Sequence, residues 1–80
     1  MNKYALKRFT KDRNKALLSL DKAKILAFMR KYQIPEPSSD IIFWAGVHKG
    51  IVNMKAATEE QRQRSYAWLI EHGFSGEIDA

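Results

Sequence analysis

The sequence predicts an all-α fold, and three observations support this. Apolar residues recur at helical spacing, no alternating strand pattern of useful length occurs, and capping residues and prolines divide the chain into helical segments. We expect one domain, residues 1–80, built as a small helical bundle with a short tail over 75–80. Its three main helices are expected at roughly 21–33, 40–55 and 59–72, preceded by a short helix or ordered turn. In 80 residues without cysteine or a zinc-ligand cluster, helix packing alone must stabilise the fold.

The N-terminal segment has the weakest pattern. Residues 1–10, MNKYALKRFT, show no clear helical period, so we expect a basic arm with at most a turn of helix, followed by a short helix over 11–18. Ser19 or Asp21 is expected to cap the next helix, because a side-chain oxygen accepts hydrogen bonds from first-turn N–H groups. The two prolines within residues 34–39 must end that helix.

The third helix is apolar almost all round its circumference and is therefore expected to be the most buried. Ser39 or Asp40 precedes it, and a serine at that place is typical of a cap rather than a catalytic nucleophile. Gly46 and Gly50 lie one turn apart within it. Because glycine is a poor helix former, we expect close approach of another helix to compensate, with a bend or hinge as the alternative.

The fourth helix carries the clearest start and stop signals. Thr58 and Gln61 have the spacing of a capping box, in which each side chain bonds the other residue's backbone N–H. Gly73 is expected to end the helix in a Schellman motif, with Phe74 folding back on Leu69.

The charge is divided unevenly along the chain. Residues 1–31 hold ten Lys or Arg against two acids, whereas residues 32–80 hold four against seven, so the basic character belongs to the N-terminal part. Such a block attracts phosphates or acidic protein surfaces, although lysines can also merely solubilise a small helical protein. The candidate anion- or partner-binding residues are Lys7, Arg8, Lys11, Arg13, Lys15, Lys24 and Lys31.

The sequence contains none of the patterns that indicate an enzyme. It has no nucleophile with a base, no paired carboxylates, no metal-ligand spacing and no phosphate-binding glycine loop. We therefore predict no catalytic residue, no metal and no cofactor. His48 is expected to be a satisfied histidine at the edge of the core, with a proton-linked switch or a ligand as the alternative.

Several short motifs occur along residues 8–76. The most distinctive is FWAGVHK at residues 43–49, and the others include Phe9-Thr10-Lys11, Leu20-Asp21, Pro35-Glu36-Pro37-Ser38 and Trp68-Leu69. Together these motifs resemble a group of small uncharacterised proteins from bacterial prophages and conjugative elements. The resemblance implies a non-catalytic accessory factor of a mobile element. The resemblance assigns no functional site residue to this sequence.

Two functions from different classes follow. The first is a protein-binding factor, a regulator or inhibitor of a host nucleic-acid-handling or defence complex, which binds an acidic protein surface. The alternative is a direct nucleic-acid binder that uses the basic arm and the lysines of the second helix. A helix-turn-helix is disfavoured, because the connection through two prolines is long and the would-be recognition helix is too apolar.

Trp68 is a possible aromatic anchor for a partner. Helical geometry points it away from the core face, and Arg64, one turn earlier, is placed to stack on its ring. The alternative is that the arm or Ile78 of the tail covers the ring. Without a membrane span or signal peptide, we expect a cytoplasmic protein with no membrane partner, and the sequence specifies no oligomeric state.

Overall fold

The computed structural model describes residues 2–74, and these form four helices without a β-strand, so the predicted all-α class is confirmed. The helices are α1 (Lys3–Ser19), α2 (Lys22–Lys31), α3 (Asp40–Val52) and α4 (Glu59–Glu71). None of these four helices is both long and apolar enough to cross a membrane. The predicted tail over 75–80 lies outside the described residues.

The chain divides into two compact units, Met1–Glu36 and Pro37–Ala80. The first contains α1 and α2, and the second contains α3 and α4. The expectation of a single domain over residues 1–80 stays a prediction.

The basic arm predicted over residues 1–10 is wrong, because α1 begins at Lys3 and continues without a break to Ser19. The Asn2 side chain caps it by accepting a 2.8 Å hydrogen bond from the backbone N–H of Ala5. The short helix expected over 11–18 is therefore the C-terminal half of one 17-residue helix.

A tertiary contact explains why the missing helical period misled the prediction. The Phe9 ring packs on the Phe28 ring at a centroid distance of 5.6 Å and edge-on against the Tyr32 ring at 4.9 Å. Phe28 lies in α2, and Tyr32 is the C-cap residue of that helix. Aromatic pairs of this geometry stabilise beyond the area that they bury. Contact with α2 thus supports the N-terminal half of α1, where Tyr4 and Leu6 remain exposed.

The α2 helix is capped by Asp21, one of the two predicted caps, whose carboxylate accepts from two first-turn N–H groups. It ends at Lys31, two residues before the predicted end. Gln33 adopts a left-handed conformation with φ +56°, and the Ile34 N–H donates to the Met29 carbonyl at 2.8 Å. This is a Schellman stop, and it closes the helix before the first proline is reached.

The α3 helix is the most buried of the four, as predicted, with five buried residues: Phe43, Ala45, Val47, His48 and Ile51. Ser39 caps it by accepting from the Ile42 N–H. The helix ends at Val52 rather than at residue 55. Beyond it the backbone turns, and this turn buries Met54 to 1% exposure.

The predicted close approach of a helix at Gly46 is wrong. Gly46 is exposed, and apart from its two chain neighbours and the backbone of α3 itself no atom of the described residues lies within 4 Å of the position that a Cβ would take there. Its cost in helix propensity is therefore not offset by a neighbour packed on that spot.

Both predicted ends of α4 are confirmed within one residue. Thr58 and Gln61 form the capping box through bonds of 2.8 and 3.1 Å. At the other end Gly73 has φ +84°, and the Phe74 N–H donates to the Leu69 carbonyl at 2.8 Å. The Leu69 side chain is fully buried.

Candidate anion-binding surface

The continuous α1 helix arranges four lysines on one side. Lys3, Lys7, Lys11 and Lys15 recur every four residues and are all exposed. Each step of four turns the position by only about 40°, so the row spans about 18 Å along the axis on one broad face. We call these four residues the lysine face. A disordered arm would not have fixed this spacing.

Arg8 and Arg13 lie differently with respect to this face. Arg8 is exposed and lies about 20° round the axis from Lys15, so it borders the lysine face. Arg13 lies about 160° from Lys11, and its guanidinium donates to the Asn14 side chain at 3.1 and 3.3 Å. The structure therefore does not bring Arg13 together with the other candidate cations.

A groove between α1 and α2 collects three of the candidate lysines. It has a volume of about 530 Å³, and we call it the α1–α2 groove. Its lining residues are Asp12, Lys15, Ala16, Ser19, Lys24, Ala27, Phe28 and Lys31. The exposed Lys24 of α2 thus extends the cationic surface that begins on α1.

Asp12 forms a polar network at the edge of this groove. Its carboxylate accepts a 2.5 Å hydrogen bond from the Tyr32 hydroxyl and a 3.1 Å bond from the Lys31 ammonium. The Tyr32 bond, followed by Lys31, holds the pKa of Asp12 below its usual value, and the same bond raises the pKa of Tyr32. Lys31 is thus balanced by an internal carboxylate, whereas Lys15 and Lys24 have no acidic partner among the described residues.

The lysine face is an unfavourable arrangement for an isolated helix. Three like-charged pairs at i,i+4 follow one another along it, and each destabilises a helix by about 0.2–0.5 kcal/mol. The first turn of α1 also lacks the acidic residues that would favour its positive end. A bound polyanion would remove both penalties.

Trp68 is occupied by contacts within its own unit. Its ring stacks on His72 at a centroid distance of 4.0 Å and on His48 at 4.5 Å, and it lies parallel to Phe74 at 6.2 Å. The Arg64 guanidinium instead binds the Glu60 carboxylate. The expected stacking partner of Trp68 is therefore held in an ion pair. Of the two expected covers of the ring, Ile78 lies outside the described residues, and the predicted arm forms part of α1.

His48 is the buried, satisfied histidine that the sequence predicts. Its Nδ1 atom lies 2.9 Å from the Ser65 hydroxyl oxygen. Burial, with a smaller effect of His72, lowers the pKa of His48. A serine beside a histidine has the residue types of a nucleophile and its base, but Ser65 is only 3% exposed and lies within α4.

Comparison with known proteins adds no relative to this picture. No protein-family model, curated protein or solved structure significantly matches the chain. The resemblance to prophage and conjugative-element proteins therefore stays a prediction. Within residues 2–74, no three His, Cys, Asp or Glu side chains are grouped so that they could hold a metal ion.

Proposed function

We propose that the protein binds nucleic acid, without catalysing a reaction, through the lysine face and the neighbouring Lys24. The observation that carries the proposal is the row of four lysines at a constant spacing on one helix. Phosphate contacts supply most of the affinity in sequence-independent binding, and a regular row of ammonium groups suits a regular row of phosphates. We also place its action in the cytoplasm.

The salt dependence of binding tests this proposal. If about five phosphates are contacted, the logarithm of the affinity for duplex DNA should fall with the logarithm of salt concentration at a slope of about −4.5, or about −3.5 for a single strand. Lys11→Gln with Lys15→Gln should make the duplex slope shallower by about 1.8 and leave the melting temperature near that of the parent. A slope near zero, or no binding at low salt, would overturn the proposal.

A single-site comparison separates the lysine face from net charge. Lys11→Glu and Lys55→Glu change the net charge equally, and both positions are exposed. Lys11→Glu should weaken binding strongly at low salt, whereas Lys55→Glu should produce only the smaller effect of a more negative protein. Equal losses would show that the lysines act only through total charge.

A protein-binding accessory factor is the second candidate. The observation that favours it is a pair of exposed apolar side chains one turn apart on α4, Tyr66 at 48% and Ile70 at 43% exposure. Exposed aromatic residues are common anchors of protein interfaces. In a pull-down from lysate, a partner that survives nuclease treatment and is lost with Tyr66→Ala would favour this function over nucleic-acid binding.

A further inference from the structure

The α1–α2 groove is lined by both apolar and cationic residues. We call the apolar residues Ala16, Ala27 and Phe28 its floor and the lysines Lys15 and Lys24 its rim. We propose that this groove holds one unpaired nucleotide and that the protein therefore prefers single-stranded nucleic acid to duplex. This inference rests on the proposed function and specifies the form of nucleic acid that the same surface takes.

The size of the groove suits a ligand of this kind. Its volume of about 530 Å³ lies within the range of about 300–1,000 Å³ that is common for small-ligand clefts. A nucleotide combines a flat apolar base with a phosphate, which matches the floor and the rim. In a duplex both faces of each base are covered by stacking, so only an unpaired base can be placed on the floor.

Phe28 is held as a stacking platform by its neighbours. Its ring lies 5.6 Å from the Phe9 ring and 5.2 Å from the Tyr32 ring, and the side chain is only half-buried. Proteins that bind single strands without sequence preference combine such aromatic platforms with a positively charged groove. The α1–α2 groove brings both features together within one pair of helices.

The acidic residue in the groove does not oppose this binding. Asp12 is engaged by the Tyr32 hydroxyl and the Lys31 ammonium, so its charge is already compensated. Lys15 and Lys24 make no ion pair with any described residue and remain to contact a phosphate. Each phosphate contact of this kind releases condensed counterions and favours binding.

The test compares a labelled single strand with its duplex under the same salt conditions, using the full chain. We expect the single strand to bind about tenfold more tightly, the effect of one stacked base. Ala27→Leu fills the groove from an exposed position and should abolish this preference. Ala67→Leu adds the same volume at an exposed position of α4 and should leave the preference intact.

A second variant removes the platform without filling the groove. Phe28→Leu should weaken single-strand binding about tenfold more than duplex binding while leaving the salt slope unchanged, which a general loss of folding would not do. If neither strand form binds, the proposed function itself is overturned. If the duplex binds as tightly as the single strand, only the present inference is overturned.

An amphiphile with an anionic head shares the chemistry of a nucleotide, so vesicles of anionic phospholipid serve as a competing probe. We expect Ala27→Leu to leave any vesicle binding unchanged. Vesicle binding that Ala27→Leu abolishes, without any preference between the nucleic-acid forms, would assign the groove to a lipid and overturn the inference.

Discussion

The Tyr32 hydroxyl donates a 2.5 Å hydrogen bond to the Asp12 carboxylate and thereby links the α2 segment to α1 at the edge of the α1–α2 groove. The two residues are 20 positions apart in the chain. Lys31 donates to the same carboxylate, and the Tyr32 ring lies edge-on to the Phe9 ring. Tyr32 therefore connects the polar edge of the groove with the rings of Phe9 and Phe28.

Tyr32→Phe should raise the pKa of Asp12 toward its ordinary value of 3.8, because the Tyr32 bond is the largest cause of the lowered pKa. A carboxyl whose folded-state pKa is depressed contributes stability above about pH 3.8, and this is lost as the pH falls through the folded-state pKa. The variant should therefore lose less stability on acidification. Carboxyl NMR titration measures the pKa. Tyr66→Phe, at an exposed tyrosine, is the control, and an unchanged Asp12 pKa in Tyr32→Phe would contradict the prediction.

The pH dependence of stability in the weakly acidic range should come from His48. Burial lowers its folded-state pKa below the ordinary value of 6.5, so the unfolded chain takes up the proton first. Stability should therefore fall as the pH drops below about 6.5 and level off below the folded-state pKa. Melting temperatures over a pH series measure this fall.

His48→Gln should abolish the fall in melting temperature below about pH 6.5. His72→Gln should largely retain this fall, because the buried His48 ring is still present. Ser65→Ala is expected to destabilise by about 1–3 kcal/mol, since it leaves the buried Nδ1 atom without its partner. A parent protein whose melting temperature is constant between about pH 7 and 5 would contradict the role assigned to His48.

Two neighbouring residues of α4 test the position of the core. Leu69 is fully buried, whereas Ile70 is 43% exposed. Leu69→Ala should cost about 2–5 kcal/mol, which is a large part of the stability of so small a domain. Ile70→Ala deletes a similar side chain and should cost less than about 1 kcal/mol. Chemical denaturation measures both free energies of unfolding. Equal losses would show that Leu69 and Ile70 are buried to the same extent and that the core face of α4 has been assigned wrongly.

Trp68→Ala should destabilise the protein by about 2–3 kcal/mol, less than a fully buried tryptophan, because the half-buried ring stacks on His48 and His72. Arg64→Ala removes only an exposed ion pair with Glu60 and should change stability by less than about 0.5 kcal/mol. Thermal unfolding distinguishes the two. An unchanged melting temperature in Trp68→Ala would show that the stack contributes nothing to the fold.

Local chemistry made much of the fold predictable. The Thr58–Gln61 box and the stop at Gly73 depend on neighbouring residues only, so reading the sequence was enough. The N-terminal half of α1 was missed because Phe9 owes its packing to rings about 20 positions away. No periodicity within a short window contains that information.

The candidate site was predictable in composition but not in geometry. The candidate cations predicted from the sequence included Lys7, Lys11 and Lys15 of the lysine face but not Lys3, although the four-residue spacing was already present as a signal. This spacing places the lysines on one face only because α1 is a continuous helix. The ion pair of Lys31 with Asp12 and the stacking of Trp68 on His48 each join two separate helical segments. The pattern within one helix contains no information on such contacts, so neither could be predicted.

Lys7→Glu should stabilise the free protein and weaken its binding to nucleic acid. Lys7 stands four residues from both Lys3 and Lys11, so the change converts two repulsive pairs into two attractive ones, a gain of about 1 kcal/mol. The same change removes a phosphate contact and adds a repulsive charge, so binding at low salt should fall at least about tenfold. Thermal unfolding and a binding titration on one sample measure both effects.

Lys55→Glu is the control for that experiment, because it makes the same charge change outside any helix and should give no comparable stabilisation. A gain in stability together with a loss of binding is therefore specific to the lysine face. A helix that keeps three repulsive pairs sacrifices stability for the positive field that they create, which is the usual relation between stability and a binding surface. A Lys7→Glu protein that is less stable than its parent would contradict the helical arrangement of the lysines. A Lys7→Glu protein that is more stable and binds nucleic acid as tightly as its parent would show that the lysine face is not the binding surface.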